Sequence, residues 1–164
     1  MNYQLSTINS KAKGFTLIEL LIVISIIAIL VASATSSWQN AQQKGRDGKR
    51  KSDLKAVQQA LELYFRANGK YPSTSSGQIQ CNAGTDTSTR DWGSSFVCDL
   101  QTYMQQLPKD PAYQETTGYY YNNPDSTSYN LWAALENTND PDLTGLPSSC
   151  GSPPTGRNYC VVNP

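Results

Sequence analysis

The sequence predicts an α+β protein in which one long N-terminal helix packs on a small antiparallel sheet. Three observations lead to this fold class. An apolar run extends from Phe15 to Ala34, a helical spacing of apolar residues continues to about Asn68, and aromatic-rich segments typical of strands come late in the chain. At 164 residues the chain is long enough for one domain of ordinary size.

The apolar run has the length and composition of a membrane-spanning helix. Thirteen of the twenty residues from Phe15 to Ala34 are Phe, Leu, Ile or Val, and twenty helical residues span about 30 Å, the thickness of a hydrocarbon core. Their insertion free energy of roughly −4 to −8 kcal/mol outweighs the cost of Glu19, which is roughly +3 kcal/mol at the bilayer centre and smaller near its edge. Lys11 and Lys13 precede the run and predict a cytoplasmic N-terminus.

Two ordinary interpretations of the run leave Glu19 unexplained. The basic start and the small residues from Ala32 to Ala34 fit an exported signal peptide, but the apolar region of such a peptide is only about 7–15 residues long. A charge within that region also opposes insertion. A plain membrane anchor tolerates Glu19 but supplies no reason for it.

The polar sequence after the apolar run keeps a helical pattern. Asn68 and Gly69 supply the signal for a helix end, and Pro72 follows. Gly45 and Gly48 each cost about 1 kcal/mol relative to alanine inside a helix, so we expect bending or local melting there. One apolar stripe recurs at spacings of three and four residues: Leu54, Val57, Leu61 and Tyr64.

The rest of the chain predicts loops and short elements. Residues 73–93 have the composition of a Ser/Thr/Gly-rich loop, and the next segment predicts a short helix that ends at Pro108. Two strands follow around a turn at residues 123–126, and the terminal segment NYCVV is compatible with a third strand. Four residues of the second strand share one face, which the helical stripe would cover: Tyr129, Leu131, Ala133 and Leu135.

The four cysteines are an even number behind an export-like segment, which predicts two disulfides in an oxidising compartment. They form no CxxC pair, and the chain has no histidine, so a zinc site is disfavoured. Three pairings exist. We favour Cys81–Cys98 with Cys150–Cys160 because these close the two shortest separate loops, although the connectivity stays open at the level of sequence.

The charge distribution is uneven although the formal net charge is zero. From Lys44 to Lys55 six basic residues accompany two acidic ones, whereas from Tyr71 onward nine acidic residues accompany three basic ones. An acidic head argues against nucleic-acid binding, and the basic segment is interpreted as a solvated helix face. Without histidine, a Walker loop or GxGxxG, the sequence predicts no enzyme, and its tyrosines are expected to pack rather than stack on a ligand.

The segment KGFTLIELLIVISIIAIL resembles the signature of type IV prepilins and the related pseudopilins. In that family a membrane-embedded prepilin peptidase cuts after a glycine and methylates the new N-terminal residue. The resemblance implies a cut between Gly14 and Phe15, N-methylation of Phe15, and the type IV pilin fold. It divides the chain into a leader (1–14), a membrane-spanning and filament-core segment (15–34), an amphipathic half-helix (35–68) and a globular head (69–164).

The same resemblance supplies a reason for Glu19. After cleavage, Phe15 carries a positively charged α-amine, and a carboxylate one turn into a neighbouring helix can pair with it inside an apolar bundle. In the family this glutamate guides the docking of each incoming subunit, so Glu19 and Phe15 are the expected assembly residues.

The resemblance implies a structural subunit of a type IV pilus-like filament, made of copies of this chain by an assembly machinery. The subunit would span the membrane before assembly and lie at the cell surface afterwards. A pseudopilin of a type II secretion system is the alternative, which the segments NGKYP and LPKDP keep open, while the two cysteine pairs favour a pilin. A signal-anchored extracellular binding domain that does not polymerise is the second alternative.

Calcium is a weaker expectation. Asn139, Asp140 and Asp142 offer oxygen ligands of the kind that calcium prefers, and major pseudopilins bind calcium in a late loop. Asp and Asn beside proline are also ordinary turn residues, so we favour a turn without metal.

Overall fold

The computed structural model of the chain describes residues 14–82, 84–113 and 118–164. The chain divides into two compact units, Met1–Asn40 and Ala41–Pro164. Lys11 and Lys13, on which the expected membrane orientation depends, lie outside the described residues, as does the expected leader up to residue 13.

Helix α1 runs from Leu17 to Asn68 over 52 residues, which confirms the predicted helix. By length and composition it can cross a membrane, a property that signal sequences near the start of a chain share. Gly69 ends it in the left-handed region, with a φ of 69°, and the N–H of Gly69 donates to the carbonyl of Phe65 at 2.7 Å. Glycine adopts this conformation without steric cost, which explains the helix end at this position.

Of the bending or local melting expected at Gly45 and Gly48, the melting is wrong, because α1 continues through both residues. Bending there stays a prediction. A Cβ at either position would meet nothing within 4 Å, so neither glycine serves a close approach. Arg46, which lies between the two glycines, and Arg50, which follows them, form ion pairs with acidic residues of the head. These ion pairs offset the low helix propensity of glycine.

The described residues form eight short strands, named β1 to β8 in chain order. They pair antiparallel in three sheets, β1–β2–β3, β4–β5 and β6–β7–β8. These sheets, together with α1, confirm the predicted fold class. The bounds are Ser73–Ser75, Gln78–Gln80, Thr89–Arg90, Phe96–Cys98, Gln101–Met104, Tyr120–Asp125, Ser128–Ala133 and Tyr159–Val162, and two 3₁₀ turns, Pro141–Leu143 and Ser148–Cys150, lie between β7 and β8.

The core of the Ala41–Pro164 unit lies between α1 and β7. The four side chains of the helical stripe are fully buried, and they share one cluster with Tyr129, Leu131 and Ala133 of β7. Edge-to-face packing of Tyr71 on Tyr129, with ring centroids 4.7 Å apart, extends this cluster. The predicted packing of stripe against strand is therefore confirmed for three of the four residues, whereas Leu135 lies beyond the end of β7 and outside this cluster. The third strand, β8, lies beside β7 as predicted.

The short helix predicted before Pro108 is wrong, since that segment forms the hairpin β4–β5. Asp99 and Leu100 have φ values of 46° and 66°, which close a tight hairpin and do not occur in a right-handed helix. The hairpin buries Phe96, whose ring stacks on Tyr64 with centroids 5.7 Å apart. Packing against distant residues therefore overrode the local helical pattern.

The loop expected at residues 73–93 also contains strands, β1 to β3. Gly77, in the turn between β1 and β2, has a φ of 81°, and a Cβ there would lie 2.2 Å from the ring of Tyr120. Only glycine fits this turn against β6. The carbonyl of Gly77 accepts the N–H of Tyr121 at 2.9 Å, which joins this sheet to the larger one.

The turn between β6 and β7 lies later than expected, at Ser126 and Thr127. The carboxylate of Asp125 accepts the N–H of Thr127 at 2.8 Å and its hydroxyl at 2.7 Å. Such a side-chain turn places the bend after Asp125 rather than at the preceding Asn-Pro pair.

Candidate functional site

The motif at the start of α1 forms a reciprocal hydrogen-bonded cap. Thr16 directly precedes the helix, and its Oγ1 accepts the N–H of Glu19 at 3.3 Å. Oε2 of Glu19 accepts the N–H of Thr16 at 2.9 Å and its hydroxyl at 2.8 Å. This is a capping box, in which a threonine at the N-cap and an acid three residues later satisfy each other's backbone donors.

The capping role of Glu19 was missed from the sequence, although the T-x-x-E spacing from Thr16 was the signal that predicts it. Both bonds from Thr16 fall on Oε2. A carboxylate accepts hydrogen bonds at both oxygens, so Glu19 keeps capacity for a donor from outside its own chain.

Gly14 and Phe15 lie immediately before this cap, outside regular secondary structure. The side chain of Phe15 is 91% exposed, and a Cβ on Gly14 would meet nothing within 4 Å. Among the residues that the structure describes, none therefore crowds the peptide bond between Gly14 and Phe15. The structure places Phe15 and Glu19 at the same end of α1.

Residues 15–31 present a continuous apolar surface. Every large apolar side chain from Phe15 to Val31 is at least half exposed, the lowest value being 50% for Ile22. Soluble monomers rarely expose contiguous apolar patches of this extent.

A buried ion-pair cluster in the Ala41–Pro164 unit is centred on Arg50. Its Nε lies 2.7 Å from Oδ2 of Asp110 and its Nη2 2.9 Å from Oδ1, a bidentate pair. Its Nη1 lies 2.8 Å from carboxylate oxygens of both Asp47 and Glu136. The side chains of Arg50, Asp47 and Asp110 are at most 3% exposed. Such a network is stable only when every charge is paired, and here each carboxylate has a partner.

The residues after β7, 136–142, form the acidic loop, which contains Glu136, Asp140 and Asp142. The carboxylate of Asp47 accepts the backbone N–H groups of Glu136 and Asn137, both at 2.9 Å. Nε of Arg46 donates to Oε1 of Glu136 at 2.7 Å. One turn of α1 therefore holds the start of this loop through its backbone and through its first carboxylate.

The far end of the acidic loop is held by Lys51. Its Nζ lies 2.7 Å from Oδ1 of Asp140 and 2.6 Å from Oδ2 of Asp142. The same ammonium lies 5.7 Å from the ring centroid of Tyr159 in β8, a cation–π distance. The lysine side chain is 23% exposed.

These contacts shift the pKa values of the groups involved. The hydrogen bond from Arg46 outweighs desolvation and, together with the bonds from Arg50, lowers the pKa of Glu136 to about 2. Desolvation lowers the pKa of Lys51, but the hydrogen bonds to Asp140 and Asp142 outweigh it, so this pKa lies above its ordinary value. Both directions favour the charged forms at neutral pH.

The calcium candidates do not fit a calcium site. Oxygens of Asp140 and Asp142 both face the ammonium of Lys51, and Oδ1 of Asp140 also accepts the N–H of Asp142 at 3.0 Å. Asn139 is exposed, and its N–H donates to Oδ1 of Asn137 at 3.2 Å, as in an ordinary Asx turn. A divalent ion between these carboxylates would meet a positive charge that already lies there.

The four cysteines form two disulfides, Cys81–Cys98 and Cys150–Cys160, which is the pairing favoured from loop length. The second bridge packs against Trp132 of β7 and ties the chain before β8 to the sheet. Asp86 lies near Cys81 and Cys98, within 4.8 Å between potential ligand atoms, but disulfide sulfurs are not thiolate metal ligands.

The interpretation of the basic segment as a solvated helix face needs correction. Arg46, Arg50 and Lys51 are paired with carboxylates of the head, whereas Lys44, Lys49 and Lys55 are exposed. The sequence signal for this pairing was that the basic segment and the acidic head carry opposite net charges. Sequence spacing alone could not assign individual partners that lie 60 to 91 residues apart.

Two family models match the chain in succession. Residues 9–35 match the prokaryotic N-terminal methylation motif, and residues 38–140 match type II secretion system protein G. The first match covers Gly14, Phe15 and Glu19, and the second covers most of the Arg50 cluster and the acidic loop up to Asp140.

The chain is also similar to individual proteins. It is 31% identical over 106 residues to type II secretion system core protein G of Aeromonas hydrophila, with 62% of this chain and 68% of the relative aligned. It is 36% identical over 101 residues to the protein of the same name in Escherichia coli K12, with 62% of this chain and 67% of the relative aligned. Type IV major pilin protein PilA of Myxococcus xanthus is 37% identical over 68 residues, covering 42% of this chain and 31% of that protein. No solved structure matches.

Proposed function

Because the chain belongs to the type II secretion system protein G family, we propose that it is a pseudopilin, a structural subunit of the filament of a secretion system. The family match over residues 38–140 is the observation that carries this proposal. This match favours the secretion alternative over the pilus-like filament that the sequence predicts.

The proposed maturation begins with a cut between Gly14 and Phe15 by a prepilin peptidase, followed by N-methylation of Phe15. The match to the methylation motif supports this step, as does the peptide bond that no described residue crowds. Residues 15–34 then serve first as the membrane span and later as the filament core, residues 35–68 as the amphipathic half-helix, and residues 69–164 as the head. We place the N-terminus in the cytoplasm before assembly.

In the proposed assembly, Glu19 accepts the α-amine of Phe15 from a neighbouring subunit. Both hydrogen bonds from Thr16 go to Oε2 of Glu19, so Oε1 can accept a donor from another subunit, which supports this pairing. When the segment leaves lipid for the filament, little apolar surface is removed from water, so this charge pair and close packing set the order of subunits.

A pilus subunit is the second candidate, because the similarity to PilA of Myxococcus xanthus covers 42% of this chain. An anchored domain that does not polymerise is less well supported, because it accounts for neither the match to the methylation motif nor the match to type II secretion system protein G. Deletion of the gene distinguishes the first two functions: a pseudopilin is required for release of secreted proteins, whereas a pilin is required for surface fibres.

The mass and N-terminal sequence of the protein from its cells test the maturation step. We expect a start at Phe15 with one additional methyl group. A start at Thr35 would show ordinary signal-peptide cleavage, and a start at Met1 would show a plain anchor, and either outcome overturns the proposal.

Two substitutions separate assembly from capping. Glu19→Ala removes both the cap and the pairing carboxylate, and we expect filaments to be lost while the protein stays in the membrane. Thr16→Ala removes the capping hydroxyl but keeps the carboxylate, so we expect a much smaller loss. Equal filament yields in Glu19→Ala and wild type would contradict the proposed pairing.

A further inference from the structure

Every carboxylate of the acidic loop is bound to a cation of α1. Glu136 pairs with Arg46 and Arg50, while Asp140 and Asp142 share the ammonium of Lys51. Each carboxylate of the loop therefore has a cationic partner within the chain, from residues that lie within a turn and a half of one helix.

The ammonium of Lys51 lies where a cation bridging this carboxylate pair would be placed. Its two N–O distances of 2.7 and 2.6 Å are those of charge-assisted hydrogen bonds. The Tyr159 ring covers the ammonium at 5.7 Å, so a third group also favours a cation at this point. A protein calcium ion takes six to eight oxygen ligands at about 2.3–2.6 Å, and it would have to displace this lysine to reach both carboxylates.

The loop around the pair is ordered by its own bonds as well. The N–H of Asp140 donates to the carbonyl of Asn137 at 3.1 Å, and the N–H of Leu143 donates to the carbonyl of Asp140 at 3.1 Å. Asp140 also caps the 3₁₀ turn that follows. Hydrogen bonds within the loop thus hold the backbone that carries both carboxylates.

We infer that Lys51 is the resident cation of the acidic loop, so that the head folds without a divalent ion. Removal of this charge would leave two aligned carboxylates and create a calcium dependence that the wild-type chain lacks. The inference concerns the folded head and is independent of the proposed filament.

Thermal unfolding of the full-length chain in detergent, followed by tryptophan fluorescence, tests this inference. We expect the wild-type midpoint to change by less than about 1 °C between EDTA and about 5 mM CaCl₂, a concentration above the dissociation constants of weak extracellular calcium sites. Lys51→Met keeps most of the aliphatic stem, and we expect it to lower the midpoint in EDTA by roughly 3–6 °C. CaCl₂ should restore at least half of that loss.

Two matched variants control for charge. Lys44→Met removes an exposed cation of the same helix, and Lys51→Arg keeps the cation at the loop, so both should behave as wild type in either buffer. Saturable stabilisation of the wild-type chain by calcium would overturn the inference. So would a Lys51→Met variant that calcium stabilises no more than it stabilises Lys44→Met.

Calorimetric titration of the wild-type chain with CaCl₂ decides the question even if Lys51→Met does not fold. The absence of saturable binding up to about 5 mM supports the inference, and one saturable site in the range of about 10⁻⁴–10⁻³ M or tighter overturns it.

Discussion

Arg50 and Asp110 form a bidentate ion pair across 60 residues of sequence, with both side chains at most 3% exposed. Arg50 belongs to α1, and Asp110 follows the β4–β5 hairpin. Since the same guanidinium also binds Asp47 and Glu136, this one residue links three separate segments of the Ala41–Pro164 unit.

Arg50→Met should be strongly destabilising, because it leaves the buried carboxylates of Asp47 and Asp110 without their main cation. Breaking a buried pair by removing one partner costs about 3–5 kcal/mol. We expect a loss of that size in the free energy of unfolding by urea. Lys44→Met is the control for loss of one helical charge, and a loss below about 1 kcal/mol for Arg50→Met would contradict the proposed linkage.

Stability should fall with acid in the window set by Glu136. Its pKa is lowered from 4.5 to about 2, chiefly by the hydrogen bond from Arg46. A lowered pKa in the folded state means that the unfolded state binds more protons between these values, so this stabilisation is complete above about pH 4.5 and is lost as the pH falls toward about 2.

Glu136→Gln provides the measurement for that pH dependence. The difference in unfolding free energy between wild type and variant should be largest near pH 7 and should shrink between about pH 4.5 and 2. Lys44→Met serves as a control, since Lys44 is an exposed residue of the same helix and carries no carboxylate. A difference for Glu136→Gln that stays constant with pH would show that the charge of Glu136 does not contribute.

Removal of the Cys150–Cys160 bridge should destabilise the sheet that contains β8. The bridge spans a sequence separation of 10 residues, for which the chain-entropy treatment gives about 2.5–3 kcal/mol. We expect a loss of about 2–3 kcal/mol in the Cys150→Ala, Cys160→Ala double variant, with a changed emission from Trp132, which packs on this disulfide. Unchanged stability would show that the loop is already constrained by other contacts.

Leu100→Gly should stabilise the protein. Leu100 has a φ of 66° at the tip of the β4–β5 hairpin, and its side chain is 99% exposed. Steric repulsion of the Cβ atom destabilises a leucine in this left-handed region by roughly 1–2 kcal/mol, whereas glycine has no Cβ and avoids this cost. After the extra chain entropy of glycine in the unfolded state is subtracted, we expect a gain of about 0.5–1 kcal/mol in urea unfolding.

Leu100→Ala is the matched control, since it also removes the exposed side chain but keeps a Cβ in the left-handed region. It should give no comparable gain. If Leu100→Ala and Leu100→Gly stabilise equally, the effect comes from loss of exposed apolar surface and not from relief of backbone strain.

Local signals were sufficient for much of the fold. The spacing of Leu54, Val57, Leu61 and Tyr64 identified the buried helix face, and Asn68–Gly69 identified its end, because both depend on neighbours within one or two turns. Alternation in β7 identified the face that packs on this stripe. The hairpin β4–β5 was missed because its apolar residues also suit a helix, and its tight turn uses Asp99 and Leu100 rather than the usual Asn-Gly.

The sequence by itself determined the apolar segment, the methylation motif that contains Gly14, Phe15 and Glu19, and the long helix, since each depends on residues close together in the chain. Only the tertiary structure decided which cations of α1 are buried and which acids they bind. Those partners lie 60 to 91 residues apart, and ion pairing carries no sequence periodicity. The resident cation at Asp140 and Asp142 was therefore visible only once the head had folded against Lys51.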